Sequence, residues 1–167
     1  IESFIRGKDA LNRVVELTAR DGRGVAHALA LANVADWELI FDRPQSSVEN
    51  YRLAYHGLKA AGLTDAEIAP QFGAPRPMKQ FSVDLRQPAP PLSEKPVHDA
   101  YVTASFRVTK TGKVRSIEVI AASPKGNTRI VRRARETLRQ SRFRPRIGAD
   151  GPTESETTIR YVFPDVT

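Results

Sequence analysis

Apolar positions follow a helical period over roughly the first 72 residues and a strand period after residue 100. Ala26, Leu29, Ala30, Asn33, Val34 and Trp37 fall on one helical face, and the stripe continues through Ile40 and Phe41. Asn33 is its one polar member, and Pro44 ends the helix. Ser46-Ser47-Val48-Glu49 carries Ser followed three residues later by Glu, a capping-box spacing that predicts the next helix start. Val48, Tyr51, Ala54, Tyr55 and Leu58 form its apolar face, and Gly62 supplies its end. Thr64-Asp65-Ala66-Glu67 repeats the capping pattern ahead of a short helix that stops near Phe72-Gly73. An earlier helix around Asp9 to Arg20 carries Leu11, Val14, Val15 and Leu17. Such short connections predict antiparallel helical hairpins.

Strand alternation takes over at Val102, Ala104, Phe106 and Val108. Lys110-Thr111-Gly112-Lys113 predicts the hairpin turn, with Gly112 free to take positive φ. Val114 lies on one parity of the next strand and Ile117, Val119 and Ala121 on the other, so a bulge is expected near Arg115-Ser116. A helix from about Asn127 to Gln140 buries Ile130, Val131, Ala134 and Leu138, and Thr157, Ile159, Tyr161 and Phe163 alternate in a last strand. One helix on a three-stranded sheet covers one face. Between the two patterns, seven of the twelve prolines fall within residues 70–96. That spacing leaves no periodic face and predicts an extended, semi-rigid spacer, with a short alternating run at Phe81–Leu85. The expected fold class is therefore α+β. A helical hairpin bundle (residues 1–73) is followed by a Pro-rich linker (74–96) and a ββαβ domain (97–167).

Charge separates the same two regions. Residues 1–96 carry 12 Lys/Arg against 12 Asp/Glu, whereas residues 97–163 carry 14 against 6, and the whole chain is +7. The absence of cysteine excludes disulfides, thiol catalysis and Cys-based zinc sites. No apolar run of about 18 residues is present, so no span of a bilayer is expected. The chain opens at Ile1 without Met, which leaves room for an N-terminal anchor or signal outside it.

Tyr101 to Phe163 presents strand, turn, strand, basic helix and strand in that order. It carries Thr111-Gly112-Lys113-Val114 at the turn, Ser123-Pro124 after the second strand, and Arg142-Phe143-Arg144-Pro145 at the helix exit. This ordered set resembles the C-terminal domain of TonB-type energy transducers. Two features depart from the family: Lys95–Asp99 offers no short helix before the first strand, and helices stand where a membrane-anchored stalk would be. The helical region is loosely similar to tetratricopeptide repeats, without a clean 34-residue period. The resemblance implies a non-enzymatic, periplasmic protein-binding module with no cofactor. Its partner would be an outer-membrane or periplasmic protein offering an extended strand. In the family the terminal strand region lies at a sheet edge, which places the expected pairing site at Thr157, Thr158, Ile159, Arg160, Tyr161 and Val162. Unpaired N–H and C=O groups at such an edge are satisfied by an added strand. The alternative is that Glu154, Glu156 and Arg160 guard the edge against association.

Other candidate chemistry is sparse. His27, His56 and His98 form no zinc-binding pattern, Gly22-Arg23-Gly24 is too short for a dinucleotide fingerprint, and Asp36 and Glu38 are too close in sequence to share a helical face. No catalytic, metal or cofactor-binding residue is assigned. Arg129, Arg132, Arg133 and Arg139 offer an anionic contact, read otherwise as a solvated helix face. The only aromatic interleaved in the basic stretch is Phe143, which the resemblance makes a core residue, and this argues against specific nucleic-acid binding. Two further readings stay open: a helical adaptor whose C-terminal domain only packs or forms a homodimer, and a basic nucleic-acid module.

Overall fold

A computed structural model describes residues 2–22, 24–78 and 100–163. Four helices open the chain: α1 (Glu2–Arg20), α2 (Gly24–Ile40), α3 (Pro44–Ala60) and α4 (Asp65–Phe72). After β1 (Arg76–Pro77) come β2 (Ala100–Val108), β3 (Val114–Ser123) and α5 (Thr128–Gln140). Three short strands, β4 (Phe143–Arg144), β5 (Arg146–Gly148) and β6 (Gly151–Thr153), precede the long β7 (Ser155–Phe163). The expected linker lies mostly outside the described residues, as does the Phe81–Leu85 run.

The helical layer is built around α2, which is buried on two sides. Ala28, Ala32, Ala35 and Leu39 pack with Tyr51, Ala54 and Leu58 of α3. The stripe read from sequence, with Ala30, Val34 and Trp37, turns instead to α1. There the Trp37 indole N–H donates to the Phe4 carbonyl at 3.1 Å, and its ring lies where a Cβ on Gly7 would stand. Two apolar faces give a helix that is hydrophobic nearly all round. Asn33 is exposed between them.

Helix boundaries differ from expectation in two places. α1 begins at Glu2 and is longer than the stretch from Asp9. α3 begins at Pro44, with Arg43 as N-cap, so Ser46 lies inside the helix rather than capping it. Proline at the first helical position has no N–H to leave unsatisfied, so the residue that ends α2 also starts α3. The capping box at Thr64 and Glu67 is formed in full. Gly62 closes α3 with φ +90°, Gly62 N bonding to Lys59 O and Leu63 N to Leu58 O.

In the C-terminal domain the strand order is β3-β2-β7, all antiparallel. Ile130, Ala134 and Leu138 of α5 pack on Val102, Phe106, Ile159 and Phe163, as the alternation predicts, and Phe143 stacks against Phe106 at 5.2 Å. The expected bulge is present, since the β2–β3 register shifts between Ser105 and Arg107 and Ser116 has φ +55°. A second shift between Thr103 and Ala104 skips Ile120. It changes parity again, so Ala122 rather than Ala121 packs on the core and Ile120 is exposed.

The segment between α5 and β7 was not anticipated. β4 pairs with β1 (Arg76 with Arg144, Pro77 with Phe143), and β5 and β6 form a hairpin that lies on α3. Ile147 of β5 belongs to the helical core, not to the sheet's own core. Residues 144–153 thus turn away from the sheet and dock on the helices, while Phe143 stays in the sheet's core.

Candidate partner-binding edge

Order β3-β2-β7 puts β7 at one edge of the sheet. It pairs with β2 in unbroken register from Phe163 opposite Ala100 to Ser155 opposite Val108. Among the described residues no strand lies on its other side. The six candidate residues are therefore contiguous on an edge strand, with side chains on two faces. Ile159 and Tyr161 enter the core beneath α5, and Thr157 is half-buried on that face. Burial pushes the Tyr161 hydroxyl pKa up, partly countered by its contact with Ser141. Thr158 and Arg160 are exposed on the outer face, while Val162 is 8% exposed. Arg160 leans over β2: its Nε donates to Thr103 Oγ1 at 2.9 Å and its guanidinium sits 4.5 Å from the Tyr101 ring. Glu154 pairs with Arg107 at 3.2 Å, leaving Glu156 without an ion-pair partner among the described residues.

The arginines divide by role. Arg129, Arg132 and Arg139 project to solvent, and Arg133 is half-buried with its guanidinium 5.6 Å from the Phe163 ring. A shallow depression of about 240 Å³ over Val131 is rimmed by Arg132, Arg135 and Arg139. Arg144 serves the fold instead. It is 6% exposed and grips Asp36 of α2 through Nε–Oδ1 (2.9 Å) and Nη2–Oδ2 (2.6 Å). Burial works against the Arg144 charge, yet the hydrogen bonds and charge of Asp36 outweigh it and its pKa is raised. Arg142 and Lys113 both approach Asp42, at 3.3 and 3.8 Å. Sequence proximity had set Asp36 and Glu38 apart as unrelated. They do point to different partners, Glu38 reaching Lys8 (3.1 Å) and Asn50 (2.9 Å).

Asp36 also accepts from the Tyr51 hydroxyl at 2.5 Å. Burial first, and then the Asp36 charge and hydrogen bond, push the Tyr51 pKa far above its ordinary 10.0. The folded chain therefore keeps a proton that the unfolded chain releases near pH 10. Stability from this group is full below that value and declines as pH rises past it. Tyr51→Phe should lose about 1 kcal/mol at pH 7. The gap to wild type should narrow above about pH 10 in urea melts taken across a pH series. A constant gap would show that Tyr51 ionises in the folded chain as it does in the unfolded one.

Two histidines contact backbone carbonyls of other elements. His27 Nδ1 lies 3.1 Å from Val15 O and His56 Nε2 lies 2.8 Å from Ala149 O; His98 is outside the described residues. Among the described residues no group of His, Asp or Glu is placed to hold a metal ion, and no helix is long and apolar enough to cross a membrane.

Residues 90–163 match the family described as Gram-negative bacterial TonB protein C-terminal. The match begins somewhat before the expected domain start and covers the sheet, α5 and the docking segment. It supports the resemblance read from the motifs, and with the helices it gives the α+β class. The family is one of non-enzymatic, periplasmic energy transducers that interact with other proteins, so it suggests a transport-related, TonB-like protein-interaction module. No curated protein matches the chain.

Proposed function

We propose that this protein binds an extended segment of an outer-membrane or periplasmic protein along the free edge of β7, at residues 157–162, without catalysing a reaction. The observation that carries the reading is the β3-β2-β7 order in a domain matched to the TonB C-terminal family. An incoming strand gains main-chain hydrogen bonds from β7, while Thr158 and Arg160 on the outer face read its side chains. The division into helices (1–73), linker (74–96) and binding domain (97–167) belongs to this reading, as does an N-terminal anchor outside the chain.

A photo-crosslinking residue placed at Thr158 in a Gram-negative cell should capture one defined envelope protein. Proline placed in turn at Thr158, Ile159, Arg160 and Tyr161 removes one N–H each time. In at least one variant that keeps its helical circular-dichroism signal, that capture should be lost. Undiminished capture in every folded variant rules this edge out. A second reading, in which the helical layer holds the partner, is favoured by exposed Val14 and Leu17 on α1 (47% and 49%). Crosslinks from α1 alone would select it.

A further inference from the structure

We propose that the seam between the helices and the C-terminal domain is a binding site for a monocarboxylate with a short apolar body. A cavity of about 330 Å³ lies there between α2, α4, β1 and β4, within the size range of small-molecule sites. The β1–β4 register sets Arg76 directly opposite Arg144, and both line the cavity. Like charges directly opposite each other across a strand pair repel. A single acid of the cavity, Asp36, stands against the two bases. It is already taken up by the two-bond grip of Arg144 and by the Tyr51 hydroxyl. Arg76 has no carboxylate partner among the described residues. Its Nη1 donates to Gln71 Oε1 at 2.7 Å, and Arg144 Nη1 approaches the same oxygen at 3.4 Å. Two guanidinium groups thus share one neutral amide oxygen, and the cavity is left with one positive charge in excess.

That excess matches one negative charge. A doubly charged phosphate would set a second charge against Asp36, whereas a carboxylate neutralises Arg76 and stops there. The fit is also geometric. Arg76 Nε and Nη2 make no hydrogen bond among the described residues, and a guanidinium offers such a pair of N–H groups to the two oxygens of one carboxylate. Asn33, the polar interruption of the α2 stripe, stands at the cavity as a further donor. The apolar part of the lining is Ile40, Pro77 and Met78, which selects an apolar group beside the carboxylate. The β1 wall is built in advance, since Met78 N donates to Arg142 O at 3.0 Å and extends the pairing with β4. A free small acid and the last residue of a peptide chain present the same chemistry. The site owes nothing to the β7 edge, so the two can be tested separately.

Isothermal titration calorimetry of the full chain with N-acetyl-leucine, in physiological salt, should give a dissociation constant of about 1 mM or tighter. The neutral N-acetyl-leucinamide should bind at least about tenfold more weakly, because it cannot answer Arg76. Arg76 is exposed and outside the Asp36 clamp, so Arg76→Gln should keep the melting temperature and weaken the acid by at least about tenfold. Arg132→Gln with Arg139→Gln removes twice as much charge from the other basic depression and should change the affinity less than about twofold. Titration followed by amide NMR on the unmutated chain avoids substitutions altogether, and its shifts should concentrate at residues 71–78 and 142–145. Binding of acetyl-Ala-Ala-Leu as tight as that of N-acetyl-leucine assigns the site to the end of a peptide chain, and its exclusion to a free acid; either keeps the carboxylate site. No binding of the acid, equal affinity for acid and amide, indifference to Arg76→Gln, loss in the Arg132/Arg139 double variant, or shifts centred elsewhere overturns the inference. Capture of an envelope protein at β7 should be the same in Arg76→Gln as in wild type, so either reading can fail and leave the other standing.

Discussion

Asp36→Ala should lower the melting temperature by on the order of 10 °C, because it strands a buried guanidinium. Arg144 is 6% exposed, and its bidentate grip on Asp36 is the main compensation for taking that charge out of water. What remains is a long hydrogen bond to Gln71 Oε1 at 3.4 Å and the Phe72 ring 5.6 Å from the guanidinium. Removing one member of such a pair costs about 3–5 kcal/mol, much of it desolvation of the partner left behind. The Tyr51 hydroxyl loses its acceptor at the same time. Replacing both ions together, Asp36→Leu with Arg144→Met, should recover much of the loss, since neither charge is then unpaired. Chemical denaturation of the three variants checks this. A loss below about 1 kcal/mol for Asp36→Ala would mean that water reaches Arg144 and that the clamp is a surface pair.

That clamp marks where reading the sequence stopped short. The helices, the hairpin, the orientation of α5 and the bulge at Ser116 follow from local spacing, and local spacing is legible in one chain. Arg144 read as one more basic residue in an arginine-rich stretch, because nothing near it in sequence shows that an acid 108 positions earlier receives it. Ile147 was equally silent, a lone apolar residue whose partners all lie in another layer. One local signal was there to be used: Asp150-Gly151 is a hairpin-turn dipeptide, and Gly151 has φ +93° at the β5–β6 turn. The second stripe on α2 was missed because alanines carry it, and alanine is a weak marker of burial. The edge position of β7 depends on strand order, which pattern alone does not encode. The family resemblance placed the candidate residues there, and the strand order agrees with that placement.

Gly112→Ala should be the most damaging change in the C-terminal domain. Two of the motifs that carry the family resemblance meet at this residue. The Phe143 N–H donates to Gly112 O at 3.0 Å, and Lys113 bridges to Arg142, so the helix exit is held against the hairpin tip. Gly112 has φ +74°, which costs a residue with a Cβ about 1–2 kcal/mol. Its Cβ would also stand 2.3 Å from the Phe143 carbonyl oxygen and 3.2 Å from Leu39 Cδ1 of α2. Phe143 is packed in the sheet's core and adjoins the Arg144 clamp, so the backbone cannot yield without disturbing both. The expected loss is about 3–5 kcal/mol, in the range of severe single changes. Gly126 supplies the control. It has φ +81° in the same domain, and nothing lies within 4 Å of the position its Cβ would take. Gly126→Ala should cost only the conformational part, about 1–2 kcal/mol. The difference between the two variants in urea melts measures the close approach by itself. Equal losses would show that Phe143 moves aside freely, and that the hairpin tip does not fix the path by which the chain leaves α5 for the helical layer.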